Sequence, residues 1–444
     1  MQQAVVEQGN PYGEHFRARR KERMGEPVWL IERRTAAMQA FESQGFPTRK
    51  HEAWRNLDLA PVSKAHFPPV HLVGEVDEQV EAIRQVIPDA HLLVLVDGHL
   101  SDAHSALGDL PAGVTLRPLI DALQSHDALL EAHLGKYAPV NGHAFAALST
   151  ALFEGGVLVH VGRGVALERP LVIAYLVSAN AEQRAVYPRT LIVAEEGAEI
   201  RVAEFHRGGA GVYLNCPVTE IVAADNAAVH YHSVQESGPD AFHFGVIAGH
   251  LERDARISAH SFAIGGKLAR ADLYGDLAAP GGEVALDGLY LLSDGQYIDH
   301  HTWVSHLAEH CQSHQLFKGV LAGRSEAVFD GLVKVAKGAQ KTDARQENRN
   351  LLLTRRAKVH SNPRLEIHAD DVKCTHGSSM GELDEDALFY LRSRGIGRDD
   401  AMGLLTYAFI GEALEPVRID ALREYERAVA LRYLPGDHAA REML

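Results

Sequence analysis

The sequence predicts a mainly β protein, in which a β-helix (a solenoid of stacked coils) is flanked by an N-terminal mixed α/β region and by C-terminal helices. Three observations lead there. From about Val157 to about Val372, helical periodicity almost vanishes, and short segments rich in Val, Ile and Leu alternate with Gly, Asn and Asp turns. Within that stretch, a turn residue, a small or polar pair and a β-branched residue recur as GAEI at Gly197, NAAV at Asn226, DARI at Asp254 and GGEV at Gly281, with starts about 27 to 29 residues apart. From Asp384 onward the apolar residues return to helical spacing. A β-sandwich also gives short, evenly punctuated strands. The near-constant period favours stacked coils, because each rung must reach the same place before turning.

Residues 1–155 form the first predicted unit. Leu30, Ala37, Met38 and Phe41 fall at helical spacing between Pro27 and Phe41, with Arg33 and Arg34 on the remaining surface. A second helical pattern runs from Val76 to Ile87 and stops at Pro88, and Leu92 to Val96 reads as a short buried strand. Pro118 to Leu134 is predicted helical, as is Phe145 to Phe153, which Gly155 and Gly156 end. Residues 156–380 form the solenoid. GVAL at Gly164 is an earlier copy of its repeat, and SEAV at Ser325 and RAKV at Arg356 are weaker ones. Residues 381–444 form the helical unit, with helices over Asp384 to Arg394, from near Asp399 as N-cap, and over Val417 to Leu431. Such helices would cap the solenoid, whose open end otherwise leaves strand edges unpaired.

Composition narrows the function. Charged residues make up 23% of the 444, and the net charge is -15, which disfavours diffuse attraction to nucleic acid or an anionic membrane. Apolar runs such as Leu171 to Val177 are too short to cross a bilayer, and Met1 to Asn10 lacks a secretory pattern, so a cytoplasmic protein is expected. The three cysteines, Cys216, Cys311 and Cys374, are too few and too scattered for a disulfide framework or a CxxC zinc site. No phosphate-binding GxxxxGK[ST] loop, GxGxxG turn or GxSxG elbow is present, so the chain shows no sign of handling ATP itself.

The most specific chemical feature is Cys374 with His376. Residues two apart on a strand share a face, so this thiol and imidazole can address one metal ion or one cluster edge. Two ligands do not complete a site, and the missing pair would come from another chain. Lys373, next to the thiol, points to the opposite face on a strand. The plain reading of the pair is a small buried thiol beside a hydrogen-bonded surface imidazole. Asp299, His300, His301, His306, His310, Cys311 and His314 form a histidine-rich stretch, but on an extended chain its members stand too far apart to chelate one ion. Lys341 to Arg349 is a dense polar run that reads as a solvated turn.

Several long motifs carry a family resemblance. QKTDARQENRNLLL at Gln340 to Leu353, PRLEI at Pro363 to Ile367, ADDVKCTHG at Ala369 to Gly377 and FYLRSRGI at Phe389 to Ile396 resemble the SufB/SufD family. So do GFPTRKHEAW at Gly45 to Trp54 and TWVSHLAEHCQSHQLFKGVL at Thr302 to Leu321, and the match spans nearly the whole chain. Cys374 and His376 match the SufD form, and the stretch Asn348 to Ala357 lacks the extra cysteine typical of SufB-like chains. The resemblance implies a right-handed parallel β-helix and a scaffold in iron–sulfur cluster assembly, with no catalysis of its own. It also implies a complex with a SufB-like subunit and a SufC-like ABC ATPase, the latter docking on about Asp384 to Leu444. Cys374 and His376 would then supply ligands to iron or to a transient Fe–S cluster at the partner interface. A β-helical metal-dependent enzyme acting alone, a SufB-like paralogue and a purely architectural subunit are the rival readings. Exposed strand edges also allow the isolated chain to form a homodimer.

Overall fold

The protein is described here by a computed structural model, which covers residues 10–433 apart from 22, 24, 71, 72 and 126. The N-terminal region comprises α1 (Pro11–Ala18), α2 (Val28–Gln44), α3 (Ala60–Ser63), α4 (Asp77–Val86), β1 (His91–Val96), β2 (His99–Leu100), β3 (Val114–Pro118), α5 (Leu119–Gln124), α6 (Ala128–His133) and α7 (Ala144–Leu152). The helix predicted over Pro118 to Leu134 is thus two short helices. The α2 stripe of Leu30, Ala37, Met38 and Phe41 is buried as expected, but so is Arg34, which the sequence placed outside. Its guanidinium lies 3.8 Å from the Phe153 ring centroid, pairs with Glu26 and donates to the carbonyls of Ala151 and Phe153 at the C-terminal end of α7. Those carbonyls lack partners within their own helix, and a cation there also suits the helix dipole.

After the glycine pair the solenoid begins. Its strands are β4 (Val157–Val161), β5 (Leu171–Val177), β6 (Ala185–Val186), β7 (Arg189–Ala194), β8 (Glu199–Gly208), β9 (Leu214–Asn215), β10 (Val218–Ala223), β11 (Ala228–Ser237), β12 (Phe242–Leu251), β13 (Arg256–Gly265), β14 (Leu268–Leu277), β15 (Glu283–Leu292), β16 (Tyr297–His306), β17 (Gln312–Leu321), β18 (Glu326–Val335), β19 (Asp343–Leu352), β20 (Lys358–Ile367) and β21 (Lys373–Gly381). From β10 on, successive strands alternate between two sheets. One runs β2-β1-β5-β8-β11-β13-β15-β17-β19-β21 and the other β20-β18-β16-β14-β12-β10-β7-β4-β3. Pairing within the coils is parallel and in register, with Ala228 opposite Arg256, Arg256 opposite Glu283 and Glu283 opposite Gln312. This is the stacked coil that the period predicts, and it excludes the sandwich.

The repeat has a physical cause. Gly164, Gly197, Asn226, Asp254 and Gly281 all occupy the left-handed region, which Gly, Asn and Asp tolerate best. Each N–H from Gly197 to Gly281 donates to a carbonyl of the next coil's turn, as Asn226 does to Arg253 and Asp254 to Pro280. The column continues through His310 and Lys341, also left-handed, and bonded to Gln340 and Asp371. From Gly197 on, the residue after each turn is small and buried: Ala198, Ala227, Ala255 and Gly282, then Cys311 and Thr342. SEAV and RAKV belong to the other corner, because they lead into β18 and β20 of the opposite sheet. Inward residues of both sheets form one core, from Leu93 and Val159 to Val335 and Ala344.

The C-terminal helices are α8 (Glu385–Ser393), α9 (Arg398–Leu414) and α10 (Asp420–Leu431). Gly397, not Asp399, is the N-cap of α9; Asp399 lies in its first turn, where a carboxylate complements the helix dipole. These helices do not cap the solenoid's open end. Ile410, Leu414, Leu422 and Val429 pack instead on the outer face of the ten-stranded sheet, against Phe205, Val234, Phe262, Leu289 and Val320. That face carries an apolar strip which burial under α9 and α10 removes from water.

Candidate functional site

Strand β21 ends its sheet, paired by β19 alone, and β20 ends the other. Among the described residues, the solenoid therefore finishes as an open mouth with two unpaired strand edges. Register decides what the mouth displays. Cys374 lies opposite Ala344, and His376 opposite Gln346, both of which are buried inward-facing residues of the preceding coil. Cys374 and His376 accordingly share the inward face, over the last filled rung. Cys374 is half-buried and packs against the end of the core, whereas His376 is exposed because no further coil covers it. Ser378, next on this face, bonds Ser361 of β20 across the mouth at 2.8 Å. Lys373 projects to the other side, as expected. Burial pushes the Cys374 thiol up, and nearby Asp343 adds to this, so an added cation would be needed to favour the thiolate.

The other two cysteines serve packing. Cys311 fills the small inward position of its coil, and its Sγ donates to the Ala279 carbonyl at 3.4 Å. Cys216 is fully buried, and that burial pushes its thiol well up.

The histidine-rich stretch is dispersed. His300 and His306 point inward, bonded to Ser261 at 3.1 Å and Ser313 at 2.8 Å, and burial lowers each to about 4. Asp299 and His301 point outward and touch each other at 2.9 Å, beneath the N-terminal layer. His310 occupies a turn, and His314 stands exposed, 3.9 Å from Asp287. No three metal-ligating side chains converge among the described residues. Of the Lys341 to Arg349 run, read as a solvated turn, only the start at Lys341 is a turn; from Asp343 on it is strand β19. Its alternate residues Gln346 and Asn348 enter the interior and bond Gln315 and Tyr290. The mouth is thus the end of a polar interior file.

Sequence reasoning missed one cluster. Arg270 of β14 is fully buried, binds both oxygens of Asp272, reaches Asp299 at 3.2 Å and donates to the Ala53 carbonyl. It also stacks 3.7 Å from the Trp54 ring centroid, while His143 bonds Asp272 at 2.9 Å. Burial alone would raise the Asp272 carboxyl, but Arg270 and His143 hold it far below the usual range. This cluster fastens the N-terminal layer to the solenoid. Its signal is the in-register column Asp272, His301 and Asp330, polar at one place in successive repeats.

Comparison with known proteins places the chain among relatives along nearly its whole length. A family model described as SUF system FeS cluster assembly, SufBD core domain, matches residues 176–409, and one described as SufBD protein N-terminal region matches residues 7–173. The Escherichia coli (strain K12) iron-sulfur cluster assembly protein SufD is 31% identical over 90% of this chain and 92% of its own length. The Bacillus subtilis (strain 168) SufD is 26% identical over 91% and 93%. The Synechocystis SufBD family protein slr0076 is 30% identical over 89% of each chain. With matched regions that run through both N-terminal layer and solenoid, the chain belongs to the SufBD family of the SUF iron–sulfur cluster assembly system.

Proposed function

We propose that this chain is a non-catalytic scaffold subunit of a SUF complex, joined to a SufB-like subunit at the open mouth and to a SufC-like ABC ATPase through α8–α10. The observation that carries the reading is the incomplete donor set: one thiol and one imidazole on the inward face of an edge strand with unpaired backbone groups. An edge of that kind accepts a partner's strand, and the partner's donors would complete a shell around iron or a nascent cluster, which is cargo here and not a resident cofactor. The ATPase reading is supported by Phe389 and Tyr390, which are 72% and 58% exposed on α8. Three unpaired thiols suit the reducing cytoplasm. Self-pairing through the same edge is the competing occupant when no partner is supplied.

Co-expression with a SufB-like chain and an ABC-type ATPase tests this. A tagged copy is expected to retain both partners through purification and to carry iron after reconstitution. Deleting residues 385–431 is expected to release the ATPase while the SufB-like chain stays bound. A chain that purifies alone, or that loads metal and turns over a substrate unaided, contradicts the proposal.

A further inference from the structure

The seat of the C-terminal helices contains an ionisable cluster that scaffolding does not require. On the outer face of the ten-stranded sheet, His232 of β11, His260 of β13 and Asp287 of β15 stand side by side in register, and all three are buried. Above them α10 places Glu426, itself fully buried, with Oε2 3.1 Å from His260 Nε2. The His232 and His260 ring centroids are 6.1 Å apart. Among the described residues, neither His232 nitrogen has a hydrogen-bond partner, nor do His260 Nδ1 and Glu426 Oε1. The surroundings are apolar: Phe262, Val234, Leu422 and Val429. Packing alone would place hydrophobic residues here, since a buried ion pair is seldom more stabilising than an apolar substitute.

We propose that the His260–Glu426 contact is a proton-operated latch, which seats α9 and α10 on the solenoid and frees them when His260 gives up its proton to solvent. While His260 is charged, the Glu426 carboxylate is buried beside its countercharge. Once the imidazole is neutral, the carboxylate is buried without one, and outward movement of α10 returns it to water. The groups facing the latch are His230 and His232 from β11, Asp287 from β15, His314 from β17, and Arg418 ahead of α10.

Their balance sets a window. Burial works against charge on His260, but Glu426 and Asp287 outweigh it and hold the imidazole above its ordinary 6.5. A raised value means the contribution is complete below pH 6.5 and is lost as pH climbs through the His260 value. Asp287, raised chiefly by burial, has the same sign in a lower window: its contribution is complete below pH 3.8 and is lost as pH climbs through its raised value. His232 acts in the other. Burial first, then His260, holds it well below 6.5, so its contribution is present above that pH and fades on acidification. His260 and His232 together therefore make docking firmest near pH 6.5.

Hydrogen exchange on the full chain, corrected for intrinsic rates, tests the latch. Protection of the α10 amides, residues 420–431, is expected to fall by up to about tenfold per pH unit between pH 6.5 and the raised His260 value and to level off above it, with strand β13 unchanged as the internal control. Glu426→Gln is expected to flatten that profile. If this variant does not fold, His260→Gln, which keeps a donor but cannot titrate, serves in its place. A flat wild-type profile, or the wild-type slope surviving in the folded variant, overturns the proposal.

Discussion

Arg270→Ala is expected to destabilise the protein by about 3 to 5 kcal/mol. The guanidinium is 1% exposed and is the countercharge for two carboxylates, Asp272 and Asp299, that are 1% and 2% exposed. Removing it leaves both charges buried, opens space beneath Trp54 and unties the Ala53 carbonyl. Arg270→Lys keeps the charge but cannot bind both Asp272 oxygens in the same plane, so an intermediate loss is expected. Denaturant titration measures the loss, and limited proteolysis should show cleavage in α2 and around Trp54 before the solenoid. A change under about 1 kcal/mol would mean that the cluster does not fasten the two layers.

His376→Ala is expected to do the reverse: leave the chain's stability within about 0.5 kcal/mol while lowering cluster formation in the assembled complex by at least about tenfold. The side chain is exposed, and among the described residues no hydrogen bond ties it to the fold, so its loss leaves no buried partner behind there. Cys374→Ser keeps the size of a side chain that closes the end of the core, and it separates the donor role of sulfur from its packing role. Cluster assembly at the normal rate in an intact His376→Ala complex would take the imidazole out of the chemistry and favour a purely architectural subunit.

The solenoid was legible because its turns place a special demand on residue type. Gly197, Asn226, Asp254 and Gly281 mark positions where the backbone is left-handed, and Gly, Asn and Asp meet that demand cheaply. His310 and Lys341 occupy the same column without the matching composition. There the ladder of backbone hydrogen bonds between coils holds the conformation, and no single repeat reveals it. The Cys374–His376 pair was legible for the same local reason, since alternate residues share a strand face. Which face that was required strand register: only the pairing with Ala344 and Gln346 shows that both point into the mouth.

Features set by long-range packing were not legible. Arg34 reads as surface until the end of α7 is brought beside it. The C-terminal helices read as a cap, yet the apolar strip on the outer sheet face draws them to the side of the solenoid and leaves the mouth open. The Arg270 cluster joins residues from β14, β16, α7's N-cap and the segment around Trp54, a meeting that no local pattern announces. Polar residues inside the solenoid, such as Gln346, resemble a solvated run because their spacing is polar throughout and gives no sign of which way each points.

In the proposed complex, the edge of β21 receives a partner chain. Hydrogen exchange of Lys373–Gly381, measured with and without a purified SufB-like subunit, addresses it most directly. Strong new protection of these amides, with Val157–Val161 near the solenoid's opposite end unchanged, is the expected result. Exchange at β21 that stays the same in a demonstrably formed complex would contradict the account.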